Sequence, residues 1–235
     1  MSLKEIEDGI EPETLAQLRA AQVVPGRPLI AVDVDEVLVV FVDHLSRYIR
    51  TLGFEMHLVR YQLEGSIFPI GSRDPIPFED CISLIRDFFE HEVERQEVIP
   101  DGPEGLRALS NEAQIVLLTN VPRHATEGRR RNMDANGIPY PLVANQGGKG
   151  RAMAWLATKA DAPCAFLDDS VKQIESVAKH APEVLRVHFA WADFIDRFYP
   201  SCAFATARVR GWCEAEKKLR AGLGLNREAK GAPGP

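Results

Sequence analysis

Apolar residues in this chain follow two rhythms. Short unbroken runs, such as Leu29-Ile30-Ala31-Val32, Gln114 to Thr119, Leu142-Val143-Ala144, Ala165-Phe166-Leu167 and Leu185 to Phe189, are β-branched or bulky and bounded by turn residues. Runs of this length read as buried strands. Between them, apolar residues recur every three or four positions. Leu45, Tyr48 and Ile49 mark a helix from about Phe41 to Gly53, and Ile82, Ile85, Phe88 and Phe89 mark one from Glu79 to Val93. Glu104 to Leu109 gives a short helix. Pro122 suits the first turn of a further helix and Asn136-Gly137 its end. Helices are also expected from Lys149 to Thr158 and from Ser170, a candidate N-cap, to about Lys179. The last two are expected over Ala192–Phe198 and Ala203–Leu219. Leu15 and Leu18 fall on one face of a leading helix within residues 1–22, expected to pack outside the main fold, and Phe54 to Phe78 reads as irregular and aromatic-rich.

Strands alternating with helices from Pro28 onward predict an α/β fold: a Rossmann-like parallel sheet with helices on both faces. The stretch from Asp35 to Thr119 exceeds by about fifty residues the roughly 30 of a plain βαβ unit, and the surplus reads as a small helical cap inserted after the first strand. The expected organisation is a leading helix and loop at 1–27, a core at 28–40 and 99–225, a cap at 41–98 and a disordered tail at 226–235.

In a parallel sheet, ligands bind at the carboxyl ends of strands. Asp33, Asp35, Thr119, Asn120, Asp168 and Asp169 all fall there. Side chains two apart on a strand point the same way, so Asp33 and Asp35 are expected side by side with Val34 facing away. Two close carboxylates repel unless a cation lies near, and Mg²⁺ suits hard oxygen ligands. Taken alone, the pair could equally end a strand in a turn.

In order along the chain, Asp33-Val34-Asp35-Glu36-Val37, Leu118-Thr119-Asn120, Lys149 and Leu167-Asp168-Asp169 resemble the four motifs of the haloacid dehalogenase-like phosphohydrolases. The resemblance spans about Pro28 to Phe198. It implies a nucleophile at Asp33 that forms an aspartyl-phosphate, and at Asp35 a general acid that later activates water. It implies Mg²⁺ held by Asp33, the Asp35 carbonyl and Asp168, with Asp169 ligating directly or through water. Thr119, with backbone N–H groups around Asn120, would bind phosphoryl oxygens, and Lys149 would neutralise their charge. Thr119 could instead cap the helix that starts at Pro122. Lys159 or Lys172 could take the place of Lys149, which Gly147 and Gly148 favour by freeing the backbone to turn it inward. A cap after the first motif is shared with many members, and its Phe88-Phe89 before a Pro-rich return is similar to deoxyribonucleotidases.

The implied activity is hydrolysis of a small phosphomonoester, such as a nucleotide or sugar phosphate. The alternatives are a regulatory protein that keeps the fold without turnover, or a phosphomutase or dehalogenase. True dehalogenases typically lack the second aspartate, so Asp35 sets that reading low. Tyr61, Phe68 and Arg73 are candidates to contact the leaving group from the cap, or simply pack it. Arg123, His124 and Arg129-Arg130-Arg131 form a basic cluster that reads best as a solvated helix face.

Composition narrows the partners. The chain has 28 basic and 34 acidic residues, a net charge of −6, and 45% of its residues are apolar. That balance offers no general attraction to nucleic acid or anionic membrane. The four cysteines lie far apart with no CxxC pair, which reads as buried, reduced thiols in a cytoplasmic protein. The charged N-terminus lacks a signal-peptide pattern, and no apolar run approaches the roughly 20 residues of a membrane span.

Overall fold

The computed structural model describes residues 2–225; the tail expected to be disordered lies outside the described residues. Among the described residues the strands are β1 (Leu29–Val32), β2 (Phe54–Met56), β3 (Ile67–Pro69), β4 (Gln114–Thr119), β5 (Leu142–Ala144), β6 (Cys164–Asp168), β7 (Leu185–Phe189) and β8 (Ala207–Val209). The helices are α1 (Leu3–Glu7), α2 (Pro12–Ala20), α3 (Val42–Thr51), α4 (Phe78–His91), α5 (Gly102–Ser110), α6 (Thr126–Ala135), α7 (Gly150–Ala160), α8 (Val171–His180), α9 (Asp193–Phe198) and α10 (Trp212–Leu223).

Six strands form one sheet in the order β5-β4-β1-β6-β7-β8, and every pair is parallel. Alternate residues of each strand face opposite layers. Ile30, Val32, Ile115, Leu117, Ala165 and Leu167 pack with Leu106 and Leu109 of α5, Met133 of α6 and Leu219 of α10. Leu29, Ala31, Val116, Leu118 and Phe166 face Met153 and Leu156 of α7 and Ile174 and Val177 of α8. This is the expected doubly covered sheet.

Several expectations need correction. The leading segment is two helices, and it belongs to the core: Ile6 and Leu18 are buried in the second layer, and the Thr14 hydroxyl donates to the Ala144 carbonyl at 2.8 Å. The cap is not all helix, because β2 and β3 pair antiparallel within it, Phe54 opposite Pro69. β8 breaks the helix expected from Ala203, and α10 begins at Trp212. Its indole N–H donates to the Val37 carbonyl at 2.8 Å, which ties the C-terminal helix to the loop after β1. Cys213 is exposed, whereas Cys81 and Cys164 are buried. The cap core is aromatic: Phe88 meets Phe41 edge-on at 5.6 Å and Phe89 at 5.5 Å, and Val121 and Ala125 of the main body join the same cluster.

Among the described residues, no helix is long and apolar enough to cross a membrane.

Candidate active site

The strand order places β1 between β4 and β6, at the point where connections leave to opposite sides and a crevice opens at the strand ends. The Asp33 N–H donates to the Leu167 carbonyl at 2.9 Å, so the β1–β6 ladder runs one residue past β1 and sets Asp33 beside Asp168. Lys149 lies between them, its Nζ 2.6 Å from Asp33 Oδ1 and 2.7 Å from Asp168 Oδ2. Asp33, Asp168 and Asp169 each offer an oxygen within 4.8 Å of the others.

Glycines bring the lysine in. Gly147 has φ +75°, in the left-handed region. A Cβ on Gly148 would lie 2.6 Å from Ser176 Oγ, and one on Gly150 would overlap the Ser176 carbonyl. Only bare backbone lets the start of α7 close on α8, where Gly150 N–H donates to Ser176 Oγ at 3.0 Å and Lys149 N–H to Gln173 Oε1 at 2.8 Å. The lysine side chain then points inward and is 1% exposed.

Three buried carboxylates face one ammonium. Burial pushes the Asp33 carboxyl up to about 7, with the Lys149 ammonium opposing and the Asp168 charge adding to the rise. Asp168 is also raised by burial against the pull of Lys149. Asp169 is raised well above the carboxylate range by burial and by the charges of Asp168 and Asp33. Burial pulls Lys149 down, but Asp168 and Asp33 outweigh it, so the amine is held above its ordinary value and stays charged. The donor set is hard, oxygen-only and short of positive charge, which fits a divalent cation such as Mg²⁺.

Asp35 lies in a turn past the end of the strand, near enough for its charge to add to the rise at Asp33. β1 ends at Val32, and Val34 to Val39 form a tight turn in which Leu38 N–H donates to the Val34 carbonyl at 2.8 Å and Glu36 has φ +59°. Val34 is buried away from the crevice as expected. The Asp35 Oδ1 accepts from Arg129 Nη2 at 2.5 Å and from Gln96 Nε2 at 3.3 Å. Its side chain remains 21% exposed. Glu36, to which the sequence reading gave no role, is buried and accepts from Phe41 N–H at 2.9 Å, Val42 N–H at 2.6 Å and Trp191 Nε1 at 2.9 Å. It caps the start of α3 and ties the motif loop to the segment after β7. Burial raises its carboxyl to about 7 against these hydrogen bonds. A cavity of about 550 Å³ is lined by Glu36, Asp43, Trp191, Phe194 and Arg197.

Thr119 is fully buried at the end of β4, and its Oγ1 accepts from Val121 N–H at 3.3 Å. It therefore closes the turn before Pro122, short of α6 itself. Asn120 turns its side chain to the glycine loop, donating to the Gly147 carbonyl at 2.8 Å and accepting from Asn145 at 3.0 Å. Ser170 stands at the N-cap of α8, but its hydroxyl makes no capping bond; the Asp168 Oδ1 accepts the Ser170 N–H at 2.8 Å instead. Behind Asp169, the buried His188 Nε2 meets its carbonyl at 2.9 Å.

From the cap, the Tyr61 hydroxyl donates to the Asp169 carboxylate, while its ring stacks on Phe194 at 5.8 Å and meets Tyr199 edge-on. Phe68 packs on His57. Arg73 is exposed between β3 and α4 and has no side-chain hydrogen bond or ion pair among the described residues. The basic cluster is not a uniform solvated face. Arg129 is fully buried, Arg130 is half-buried against the Ile138 and Tyr140 carbonyls, and Arg131 is exposed beside Glu94. Arg129 shares its helix face with Ala125 and Met133, both buried, and that spacing was the available signal.

No protein-family model matches the chain, and no curated protein matches it. Solved structures do. A conserved haloacid dehalogenase-like protein from Agrobacterium tumefaciens superposes with TM-score 0.58 at 14% identity, covering 83% of this chain and 99% of that one. A haloacid dehalogenase-like hydrolase family protein from Streptococcus pneumoniae gives 0.57 at 11%, covering 82% and 98%. A HAD family hydrolase from Deinococcus radiodurans, with bound phosphate and sodium, gives 0.55 at 13%, covering 85% and 97%. A defluorinating L-2-haloacid dehalogenase also matches, so the shared architecture serves more than one reaction. With its six-stranded parallel sheet covered by helices on both faces, this chain has the haloacid dehalogenase-like fold.

Proposed function

We propose that the chain is a Mg²⁺-dependent phosphohydrolase that cleaves a small phosphomonoester through an aspartyl-phosphate on Asp33. The observation that carries this reading is the buried meeting of Asp33 with Lys149, Asp168 and Asp169 at the ends of β1 and β6. Asp33, Asp168 and Asp169 would hold the ion, which when bound shields phosphate charge from the anionic nucleophile.

The remaining steps belong to the protein's own groups. Lys149 keeps its charge and neutralises the transferring group. Thr119 and the backbone N–H groups at the end of β4 donate to phosphoryl oxygens. An Asp33 oxygen attacks phosphorus while the bond to the leaving oxygen breaks, and that oxygen takes a proton from Asp35. Water then attacks phosphorus, its proton passes to Asp35, and Asp33 is released with inorganic phosphate. The Tyr61 contact from the cap supports exclusion of bulk water during transfer. A dehalogenase would not call on Asp35. The unpaired cysteines accord with a reducing, cytoplasmic setting.

A screen of phosphorylated metabolites, with and without EDTA, tests the reading. Metal-dependent phosphate release is the expected result. Halide release without metal, or no phosphate release from any phosphomonoester, overturns it.

A further inference from the structure

We infer that Arg129 is a positioning residue that fixes the Asp35 carboxylate for proton transfer, with Gln96 as its partner. The inference rests on the hydrolase reading above.

Arg129 is fully buried on α6, with its guanidinium 6.0 Å from the Phe89 ring centroid. Its Nη2 donates to Asp35 Oδ1 at 2.5 Å and to Gln96 Oε1 at 2.8 Å. Its Nε and Nη1 are buried with no partner. An arginine kept for packing alone would satisfy these donors, because an unmet buried N–H is costly. Here the strongest contact of the side chain goes instead to the partly exposed carboxylate at the crevice.

Gln96 completes the grip. It is 2% exposed, and its Nε2 donates to Asp35 Oδ1 and, at 3.2 Å, to the Val40 carbonyl. Asn132, one turn along α6 from Arg129, holds the same segment by donating to the Glu94 and Gln96 carbonyls at 3.0 Å each. Asp35 Oδ1 thus takes both bonds, and Oδ2 takes none among the described residues. One oxygen is pinned and the other is free for the reacting oxygen. Proton transfer needs an oxygen within hydrogen-bond reach, and small displacements lose most of the rate. The turn holds the Asp35 backbone through its bridge to Val39, and the carboxylate itself is held by Arg129 and Gln96.

The test compares Arg129→Met, Arg129→Lys and Gln96→Leu with the wild type, on an alkyl phosphate and on p-nitrophenyl phosphate. For Arg129→Met, kcat on the alkyl phosphate should fall on the order of 10²-fold with KM changed less than about threefold. The first-turnover burst of p-nitrophenolate should survive, because that leaving group hardly needs an acid. Arg129→Lys should recover at least about a tenth of the wild-type rate, since it restores a donor to Asp35. Gln96→Leu should show the same leaving-group pattern, more weakly, and serves if Arg129→Met does not fold. Equal losses of burst and alkyl-phosphate turnover overturn the inference. Crystal structures of the variants separate the possible failures. An Asp35 carboxylate unmoved without Arg129 or Gln96 overturns the positioning role whatever the wild type hydrolyses. A wild type that cleaves neither substrate overturns the hydrolase reading, and the inference with it.

Discussion

Two aspartates two residues apart have been given different neighbours. Asp33 faces Lys149 and Asp168, and Asp35 faces Arg129 and Gln96. Different surroundings let like groups do different work. Asp33→Asn should abolish turnover, because an amide cannot form the acyl phosphate. Asp35→Asn should give a burst of p-nitrophenolate near one equivalent, followed by a stall with acid-labile phosphate retained on Asp33. Rapid-quench kinetics and mass mapping check both; normal turnover in Asp35→Asn would remove that residue from the mechanism. Lys149→Met leaves buried carboxylates without a counter-charge, a change that typically destabilises by about 3–5 kcal/mol. Its melting temperature should fall in EDTA and partly recover in Mg²⁺. Asp33, Lys149, Asp168 and Asp169 were legible in the sequence because each follows an apolar run or a glycine pair that leaves few ways to place it. Arg129 was not, since three arginines in a row read as a solvated face. Its burial depends on Asp35 and Gln96, which lie far away along the chain.

At the scale of elements, the junction of α7 and α8 controls where Lys149 points. Gly150→Ala would drive a methyl into the Ser176 carbonyl, and overpacking of this kind costs about 1–3 kcal/mol. The expected outcome is a lower denaturation midpoint together with an activity loss larger than that of an uncrowded control such as Gly211→Ala, where an added Cβ meets nothing within 4 Å. Equal activity in the two variants would show that the helix junction does not set the lysine. The same scale explains what sequence reading found and missed. β1, β4 and β6 are central and continuous, so their apolar runs announce them. β2, β3 and β8 are three residues each and are interrupted by Glu55, Pro69 and Arg208, whereas the equally short β5 shows because Leu142-Val143-Ala144 is wholly apolar; β2 and β3 exist only by pairing with one another. The two-helix leader looked peripheral because it precedes the first strand and offers only a short apolar face, Ile6 on one helix and Leu15 and Leu18 on the other, and only the folded sheet supplies the layer that covers it.

For the whole molecule, buried acids make stability depend on pH and, under the proposed function, on metal as well. Asp33 and Glu36 have folded values of about 7, above their ordinary carboxylate values. The folded state therefore holds protons that the unfolded chain releases near pH 4. Stability contributed by these groups is present at low pH and is lost as pH rises from about 4 to 7. In EDTA the protein should melt at a lower temperature at pH 8 than at pH 6. Added Mg²⁺ should raise the melting temperature most at pH 8, where the ligands are already deprotonated. Calorimetry across that range checks the sign, and a metal-free protein more stable at pH 8 than at pH 6 would contradict it.

The central place of β1 also bears on how the chain is made. β1 lines up with β4 on one side and with β6 on the other, Leu29 beside Gln114 and Cys164. During synthesis Asp33 leaves the ribosome well before its neighbour strand β6, and Asp168 at the end of that strand comes 135 residues later (168 − 33). Until then β1 has one open edge, an exposed template for mispairing. The cap, all of it encoded before β4, can gather Phe41, Phe88 and Phe89 in the meantime. A nascent chain stalled just before β6 should carry a formed cap beside an unfinished sheet, vulnerable to aggregation and unable to bind metal.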